Sequence, residues 1–165
     1  MEKASEVTDT LTPEDALLIE AVLMKYATAI DTKQWALLGG VFTPDIRGFY
    51  SLTWESDWGE LVGLDEYTSA MAYNHQMLDA SQHRISNIRV TLHDGDHATV
   101  DSYNNAVLIK RHEPAGEVFQ EYGSYHDEMV RTPDGWRISN RRYTSMWNTG
   151  NREILAHDWR QHPSG

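Results

Sequence analysis

Two polar residues stand where the surrounding pattern predicts a buried core. Asp31 follows the apolar positions of a predicted helix, and His83 begins a predicted strand. A carboxylate and an imidazole that meet away from bulk water form a pair suited to proton transfer, because the carboxylate fixes the tautomer of the imidazole and stabilises its protonated form. The two residues lie far apart in sequence, so only the tertiary structure brings them together.

Each residue also has a purely structural interpretation. A histidine on a strand is more often a structural residue than a catalytic one. Asp31-Thr32-Lys33-Gln34 has the form of an N-terminal capping box for a second helix, in which the Asp31 carboxylate would accept backbone N–H groups. Both roles of Asp31 stay open at this point, since one oxygen could cap a helix while the other binds His83.

Further candidates lie on the predicted last strand and on the first helix. Arg141 and Arg142 are neighbours on a strand and therefore point to opposite faces, so one of them would meet developing negative charge inside while the other meets solvent. Tyr26 and Tyr50 are candidates to donate hydrogen bonds to a substrate oxygen, although tyrosines also fill amphipathic core positions.

The remaining candidates would form the walls of a pocket. Trp54 would supply an apolar surface for a ring, and His126, on a central strand among acidic residues, is a second histidine candidate for the pocket. No metal site is expected, because no His-x-x-x-His helix pair or facial triad of two histidines and a carboxylate occurs. His93 and His97 flank a Gly-Asp turn and are expected at the surface.

The periodicity of the chain predicts three helices followed by long strands. Thr12-Pro13 begins the first helix, which runs to about Ile30; a short helix follows through Trp35 and Leu38, and a third spans residues 64–80. The alternation of apolar and polar residues predicts strands, separated by turn residues, at 47–52, 83–93, 99–110, 118–131 and 136–147, with a loop at 53–63. This order predicts an α+β fold with helices packed on one face of a curved sheet.

Composition narrows the classes of function. The chain has 165 residues, no cysteine and a formal net charge of −11. The absence of cysteine excludes thiol catalysis, iron–sulfur clusters and disulfides, and the acidic balance argues against nucleic acid or anionic membrane as partner. The N-terminal residues lack an apolar signal segment and no apolar run would span a bilayer, so we expect a cytoplasmic protein. We expect a disordered lead-in at 1–11, a single domain at 12–147 and a tail at 148–165.

Several short motifs, taken in their order along the chain, resemble those of a known protein family. They are Tyr26 and Asp31 in Tyr-x-x-x-x-Asp, His83 and Asn87 in His-x-x-x-Asn, and Gly135-Trp136-Arg137-Ile138 leading to Arg141. The chain resembles the SnoaL-like branch of the nuclear-transport-factor-like superfamily, which includes polyketide cyclases, scytalone dehydratase, hexachlorocyclohexane dehydrochlorinase and a bile-acid dehydratase.

The resemblance implies a cone-shaped fold with a mixed, mostly antiparallel sheet and an Asp–His dyad at Asp31 and His83. It also implies a cation at Arg141 that reaches the leaving group, and places Asn87 among substrate-binding positions. Tyr26 stands where the bile-acid dehydratase has tyrosine and the dehydrochlorinase has lysine, which favours an oxygenated substrate. Ser81 replaces a cysteine of the dehydrochlorinase, which argues against the same chlorinated substrate.

The sequence therefore predicts a cofactor-independent lyase or isomerase that acts on a small, largely apolar cyclic molecule. Loss of water is the first expectation, with enolisation or ring closure as alternatives. The same fold also serves as a non-catalytic ligand-binding or assembly module, and an Asp–His pair can activate water for hydrolysis or serve a monooxygenase-like reaction. The family likeness and the long strands predict a homodimer or homotrimer.

Overall fold

A six-stranded sheet carries the helices on one face. The computed structural model describes residues 11–53 and 59–155. In chain order the elements are α1 (Pro13–Asp31), the 3-10 helix η1 (Trp35–Gly40), β1 (Phe42–Ser51), β2 (Glu60–Val62), α2 (Leu64–His75), β3 (Ala80–Asp94), β4 (His97–Ile109), β5 (Val118–Thr132), β6 (Gly135–Gly150) and the 3-10 helix η2 (Arg152–Ile154).

The strand order is β2-β1-β6-β5-β4-β3, so the sheet opens with β2 and ends with β3. β1 runs parallel to β6, while all the other neighbouring pairs are antiparallel. Register shifts between β3 and β4 and between β5 and β6 mark β-bulges, with the extra residues in β3 and β6, and such bulges bend strands and increase the local twist. The predicted α+β class with a curved mixed sheet and three helices is confirmed.

Helix α1 forms because its sequence supplies both a start signal and an apolar stripe. The Thr12 side chain accepts a hydrogen bond from the Asp15 backbone N–H at 3.0 Å, and Pro13 occupies the first turn, where it costs no hydrogen bond. The residues that α1 buries against the sheet recur at helical spacing: Ile19, Val22, Leu23, Tyr26 and Ile30. The predicted start of this helix is confirmed.

The end of α1 corrects the capping-box interpretation of Asp31. Lys33 has a φ of 54°, and the backbone N–H groups of Lys33 and Gln34 return to the carbonyl oxygens of Ile30 and Ala29. These bonds form a helix C-terminal motif rather than a helix start. Asp31 is therefore the last residue of α1, the following 3-10 helix has no side-chain cap, and the Asp31 carboxylate is available to another element.

Other boundaries also differ from the sequence-based expectation. α2 ends at His75 rather than near residue 80, because Asp79 and Ala80 already pair with Ile109 of β4. The predicted loop at 53–63 contains the short strand β2. The expected tail begins within β6, which continues to Gly150, and Ile154 is buried beyond it.

The main core lies between the helices and the concave face of the sheet. Its largest fully buried side chains include Trp136, Tyr67, Phe42 and Leu23. A second small cluster, formed by Leu78, Ala106, Leu108, Phe119 and Ile154, closes the end of the sheet near β3 and the C-terminal residues. In the described part of the chain, no helix has the length and apolar character required to cross a membrane.

Candidate active site

Asp31 and His83 are in direct contact. The carboxylate oxygen Oδ1 of Asp31 lies 2.7 Å from Nδ1 of His83, and Oδ2 accepts the backbone N–H of His83 at 2.9 Å. The hydroxyl of Ser81 donates a third hydrogen bond to Oδ1 at 2.9 Å. The end of α1 is thus held against the beginning of β3 by three hydrogen bonds to one carboxylate, which leaves the carboxylate no freedom to rotate.

These hydrogen bonds decide the charge of Asp31 and the tautomer of His83. Burial by itself would raise the pKa of Asp31, but the hydrogen bonds from His83 and Ser81 and the charge of a protonated His83 outweigh it and hold the pKa below its usual value. The ionised carboxylate only accepts, so Nδ1 of His83 carries the hydrogen. Nε2 is then the basic nitrogen, and among the described residues it has no hydrogen-bond partner.

The basic side of His83 faces a cavity of about 60 Å³, several times the space that one water molecule requires. The cavity lies between the two α-helices α1 and α2 and strands β1 and β3 to β6. Its polar lining residues are Tyr26, Tyr50, Asn74, His75, His83, Asn104, Glu121, Tyr125 and Tyr143; the apolar ones are Leu52, Met71, Ala106, Leu108 and Leu155.

A second histidine, His75, lines this cavity beside His83. The two ring centres are 5.7 Å apart, and Nδ1 of His75 donates to the backbone oxygen of Met71 at 2.8 Å. Burial lowers the pKa of His75 to about 4, with a further lowering from His83. His75 is therefore neutral at pH 7 and presents Nε2 as an acceptor.

Tyrosine rings form much of the remaining wall. The hydroxyls of Tyr26 and Tyr125 are 3.4 Å apart, and the hydroxyl of Tyr50 is hydrogen-bonded to that of Tyr67. Burial raises the pKa of Tyr50 and of Tyr125 well above 10. The phenols of Tyr50 and Tyr125 therefore stay protonated at neutral pH and can donate hydrogen bonds to an oxygen in the cavity.

Arg141 points inward and Arg142 outward, as the alternation of a strand requires, but Arg141 does not reach the cavity wall. Its guanidinium forms two hydrogen bonds of 2.7 Å with Asp127, and both side chains are fully buried. The guanidinium carbon lies 4.2 Å and 4.1 Å from the ring centres of Tyr26 and Tyr125, which do line the cavity. The expected direct contact between Arg141 and a leaving group is therefore corrected, because Arg141 lies behind these two rings and is paired with Asp127.

Two predicted substrate-binding residues lie elsewhere. Asn87 occupies a β-bulge with a φ of 53°, which reverses the alternation of β3 and turns its side chain to the outer face. His126 alternates with the buried Tyr125 and Asp127 and therefore also faces outward, where it binds Asp101. Both residues line a groove on the outer face of the sheet. Trp54 lies outside the described residues.

Five further residues line the cavity that were not predicted from the sequence: Asn74, His75, Asn104, Glu121 and Tyr143. For His75 a signal was present, since it follows Tyr67 and Met71 at intervals of four on the apolar stripe of α2. The three strand residues gave no such signal, because a polar residue on a strand usually marks the solvent face. Among the described residues, no group of three or more histidine or acidic side chains is arranged to hold a metal ion.

A comparison with protein families agrees with this architecture. The model of the SnoaL-like domain matches residues 12–142. An uncharacterized protein of Mycobacterium tuberculosis is 34% identical over 142 residues, which cover 81% of this chain and 86% of that protein.

Solved structures share the fold. A protein from Kribbella flavida superposes with a TM-score of 0.76 at 27% identity, covering 86% of this chain and 96% of its own. A protein from Novosphingobium aromaticivorans that is provisionally named a scytalone dehydratase gives 0.72 at 20% identity, with coverage of 86% and 93%. A hexachlorocyclohexane dehydrochlorinase gives 0.68 at 15% identity, with coverage of 85% and 93%.

Proposed function

Because the chain belongs to the SnoaL-like domain family, we propose that it is a lyase of the dehydratase type that acts on a small, largely apolar cyclic molecule. The observation that carries this proposal is the contact of 2.7 Å between Asp31 and Nδ1 of a histidine whose other nitrogen faces the cavity. The names of two structural neighbours, a dehydratase and a dehydrochlorinase, support the same type of chemistry, because both reactions remove a small group from a ring.

In the proposed reaction, Nε2 of His83 removes a proton from a ring carbon. The electron pair of the C–H bond forms a C=C bond as the neighbouring C–O bond breaks. The departing oxygen takes the proton back from His83 and leaves as water, so His83 returns to its neutral form. Asp31 fixes the tautomer that makes Nε2 basic and stabilises the imidazolium between the two proton transfers.

The tyrosines would stabilise the charge that develops on the substrate. If the ring carries a carbonyl next to the carbon that loses its proton, the negative charge moves to the carbonyl oxygen. Tyr26 or Tyr50, whose side chains are buried, would donate a hydrogen bond to that oxygen, and such a bond is stronger away from water than in solution. General base catalysis contributes about 10²–10⁴-fold, so this preorganised environment must supply the rest of the acceleration.

A ring that carries both a carbonyl and a hydroxyl group provides the test. 3-Hydroxycyclohexanone loses water to give a conjugated enone, whose ultraviolet absorbance reports turnover, and proton NMR in D₂O reports exchange of its acidic hydrogens independently. We expect His83→Gln to lower both rates about 10²–10⁴-fold while the melting temperature changes little. The matched control is His97→Gln, which alters an exposed histidine that also contacts an aspartate.

A His83→Gln protein with the wild-type rates would contradict the proposal. Binding of the ring without exchange or elimination in either protein would favour the non-catalytic ligand-binding alternative. In that case the affinity should be nearly independent of pH between about 5 and 8, where histidines change charge.

A further inference from the structure

Three adjacent strands each place one polar side chain at the wall of the cavity across the sheet from His83. These residues are Asn104 on β4, Glu121 on β5 and Tyr143 on β6, here called the distal cluster. Gly123 makes their convergence possible, because a Cβ atom at this position would overlap the hydroxyl of Tyr143. The glycine thus leaves the space in which the phenol meets its neighbours.

Two side chains of the distal cluster are almost completely buried, and each has one polar atom without a well-formed hydrogen bond to a described residue. Asn104 is 4% exposed and Tyr143 is 2% exposed. Neither Oδ1 of Asn104 nor the hydroxyl of Tyr143 forms a hydrogen bond of standard geometry with any described residue, although Tyr143 lies beside Glu121 and Asn104. Leaving buried polar atoms without a partner costs free energy, and the cavity that they face is where a ligand could supply the partner.

The chemistry of the cluster restricts that ligand. Burial, together with the charge of Glu121, raises the pKa of Tyr143, so its hydroxyl stays protonated and can donate a hydrogen bond. An ionised Glu121 only accepts hydrogen bonds, and Asn104 offers one acceptor and one donor group. A hydroxyl group satisfies both sides, because it accepts from Tyr143 and donates to Glu121. A carbonyl or a halogen would present only lone pairs to the carboxylate.

The cluster also lies at the right place relative to His83. His83 pairs with Ala106 on β4, and Ala106 pairs with Glu121 on β5, so the three residues form one row across the sheet. Two strand spacings put the outer Cα atoms about 10 Å apart, and both side chains reach over the small side chain of Ala106. A ring between them would present the C–H bond of one carbon to His83 and the C–O bond of the adjacent carbon to Glu121, so the departing oxygen would also lie near His83 and could take up the proton.

We propose that the distal cluster is the subsite for the hydroxyl group of a cyclic alcohol, which makes alcohols rather than halides or simple ketones the substrate class. The inference rests on the proposed function, since the hydroxyl held there is the one that leaves. Its C–O bond breaks as Tyr143 donates to the departing oxygen, and the proton that completes the water molecule is the one that His83 removed from carbon. Tyr143 and Glu121 end the reaction in the protonation states in which they began it.

Three rings that differ in one group test the subsite by binding alone: cyclohexanol, cyclohexanone and chlorocyclohexane. Dissociation constants would come from NMR titrations that follow the side-chain amide of Asn104, with the His83→Gln protein as a parallel background. We expect cyclohexanol to bind about tenfold more tightly than either of the other two, a difference typical of one hydrogen bond gained and one repulsive contact avoided.

Variants assign that preference to the cluster. Tyr143→Phe should weaken the binding of cyclohexanol about tenfold. Glu121→Gln should raise the affinity for cyclohexanone, because the new amide can donate to a carbonyl, and so bring the ratio of the two affinities towards one. Tyr122→Phe and Glu128→Gln are the matched controls, since Tyr122 bonds to Gln120 and Glu128 is exposed on the same strand. Both controls should keep the wild-type preference.

Equal affinities for the three rings in the wild-type protein would overturn the inference. So would an unchanged preference in folded Tyr143→Phe and Glu121→Gln proteins, or no detectable binding of cyclohexanol up to its solubility limit. These failures differ from a failure of the proposed function, which shows as unchanged elimination in His83→Gln. A protein with the alcohol preference but no dependence of turnover on His83 would retain the subsite and lose the dyad.

Discussion

The described residues contain three aspartate–histidine pairs with almost the same contact geometry and very different surroundings. Oδ1 and Nδ1 are 2.7 Å apart in Asp31–His83, and 2.8 Å apart in both Asp94–His97 and Asp101–His126. The His83 side chain is 7% exposed, whereas those of His97 and His126 are 59% and 53% exposed. The short contact therefore does not by itself distinguish a candidate catalytic pair.

The environment makes the difference. Water surrounds the two outer pairs, screens their charges and competes for their hydrogen bonds, so each pair contributes little to the stability of the fold. At Asp31 the backbone of His83 and the hydroxyl of Ser81 complete the coordination of the carboxylate, and the free nitrogen of His83 faces a cavity. Burial and an adjacent cavity, more than the aspartate–histidine pair itself, therefore distinguish the candidate active site.

The largest expected effect comes from changing the carboxylate of the inner pair. Asp31→Asn keeps one acceptor but turns an amide N–H₂ towards the backbone N–H or the ring of His83, and it removes the charge that stabilises the imidazolium. We expect elimination from 3-hydroxycyclohexanone to fall about 10²–10⁴-fold. Asp94→Asn and Asp101→Asn, the same change in the outer pairs, should leave the rate unchanged.

Nitrogen-15 NMR of the imidazole rings checks the same comparison without a substrate. The wild-type spectrum should show His83 with its hydrogen on Nδ1 at neutral pH, and Asp31→Asn should alter that tautomer balance. If Asp31→Asn leaves both the spectrum and the rate unchanged, the inner pair is equivalent to the outer ones and the comparison fails.

The next largest effect concerns stability, and it contrasts a buried ion pair with an exposed one. Asp127→Ala would leave the fully buried guanidinium of Arg141 without its partner, and we expect a loss of about 3–5 kcal/mol in the free energy of unfolding. Asp101→Ala removes a partner of the exposed Arg89 and should cost about 0–1 kcal/mol.

Urea unfolding monitored by circular dichroism measures both losses. The double variant Asp127→Leu with Arg141→Met sharpens the test, since it removes both charges and should recover much of the stability that Asp127→Ala loses. Equal losses for Asp127→Ala and Asp101→Ala would show that burial does not govern these pairs.

The smallest of the expected effects is a pH dependence that arises at His75. Its pKa is about 4 in the folded protein and near 6.5 when the chain is unfolded, because burial disfavours the charged ring. As the pH falls from 6.5 to 4, the unfolded chain binds a proton that the folded protein does not, so the free energy of unfolding decreases, by about 3 kcal/mol in all.

The measurement is the free energy of unfolding as a function of pH in matched variants. His75→Phe, which cannot titrate, should lose less stability between pH 6.5 and 4 than the wild-type protein does. A His75→Phe protein with the wild-type slope would show that another group causes the dependence.

Local sequence signals determined much of the fold. Thr12 and Pro13 specify the start of α1, and the turn residues between the apolar–polar alternations mark β4, β5 and β6 to within a few residues. The match of the SnoaL-like domain to residues 12–142 confirms the family that the motifs indicated. Such signals are readable because caps, turns and periodicity act between residues that are close in sequence.

The residues that line the cavity could be predicted from the sequence only in part. The sequence indicated Tyr26, Tyr50 and His83, which line the cavity, but it also indicated Asn87 and His126, which do not. One extra residue in a β-bulge reversed the face of Asn87, and bulges depend on how neighbouring strands fit together. Asn104, Glu121 and Tyr143 could not be predicted as a group, because their meeting depends on the register of three strands and on the space above Gly123.

The sequence by itself determined the order of the helices and of the long strands, though not the short strand β2. It also placed an aspartate at the end of the first helix and a histidine at the beginning of the first long strand after the helices. The tertiary structure decided that Asp31 binds His83 instead of capping a helix, that Arg141 pairs with Asp127 behind two tyrosine rings, and that the polar residues of three strands face one cavity. The physical reason is that burial and strand register arise from contacts between distant parts of the chain, whereas caps and periodicity are properties of short segments.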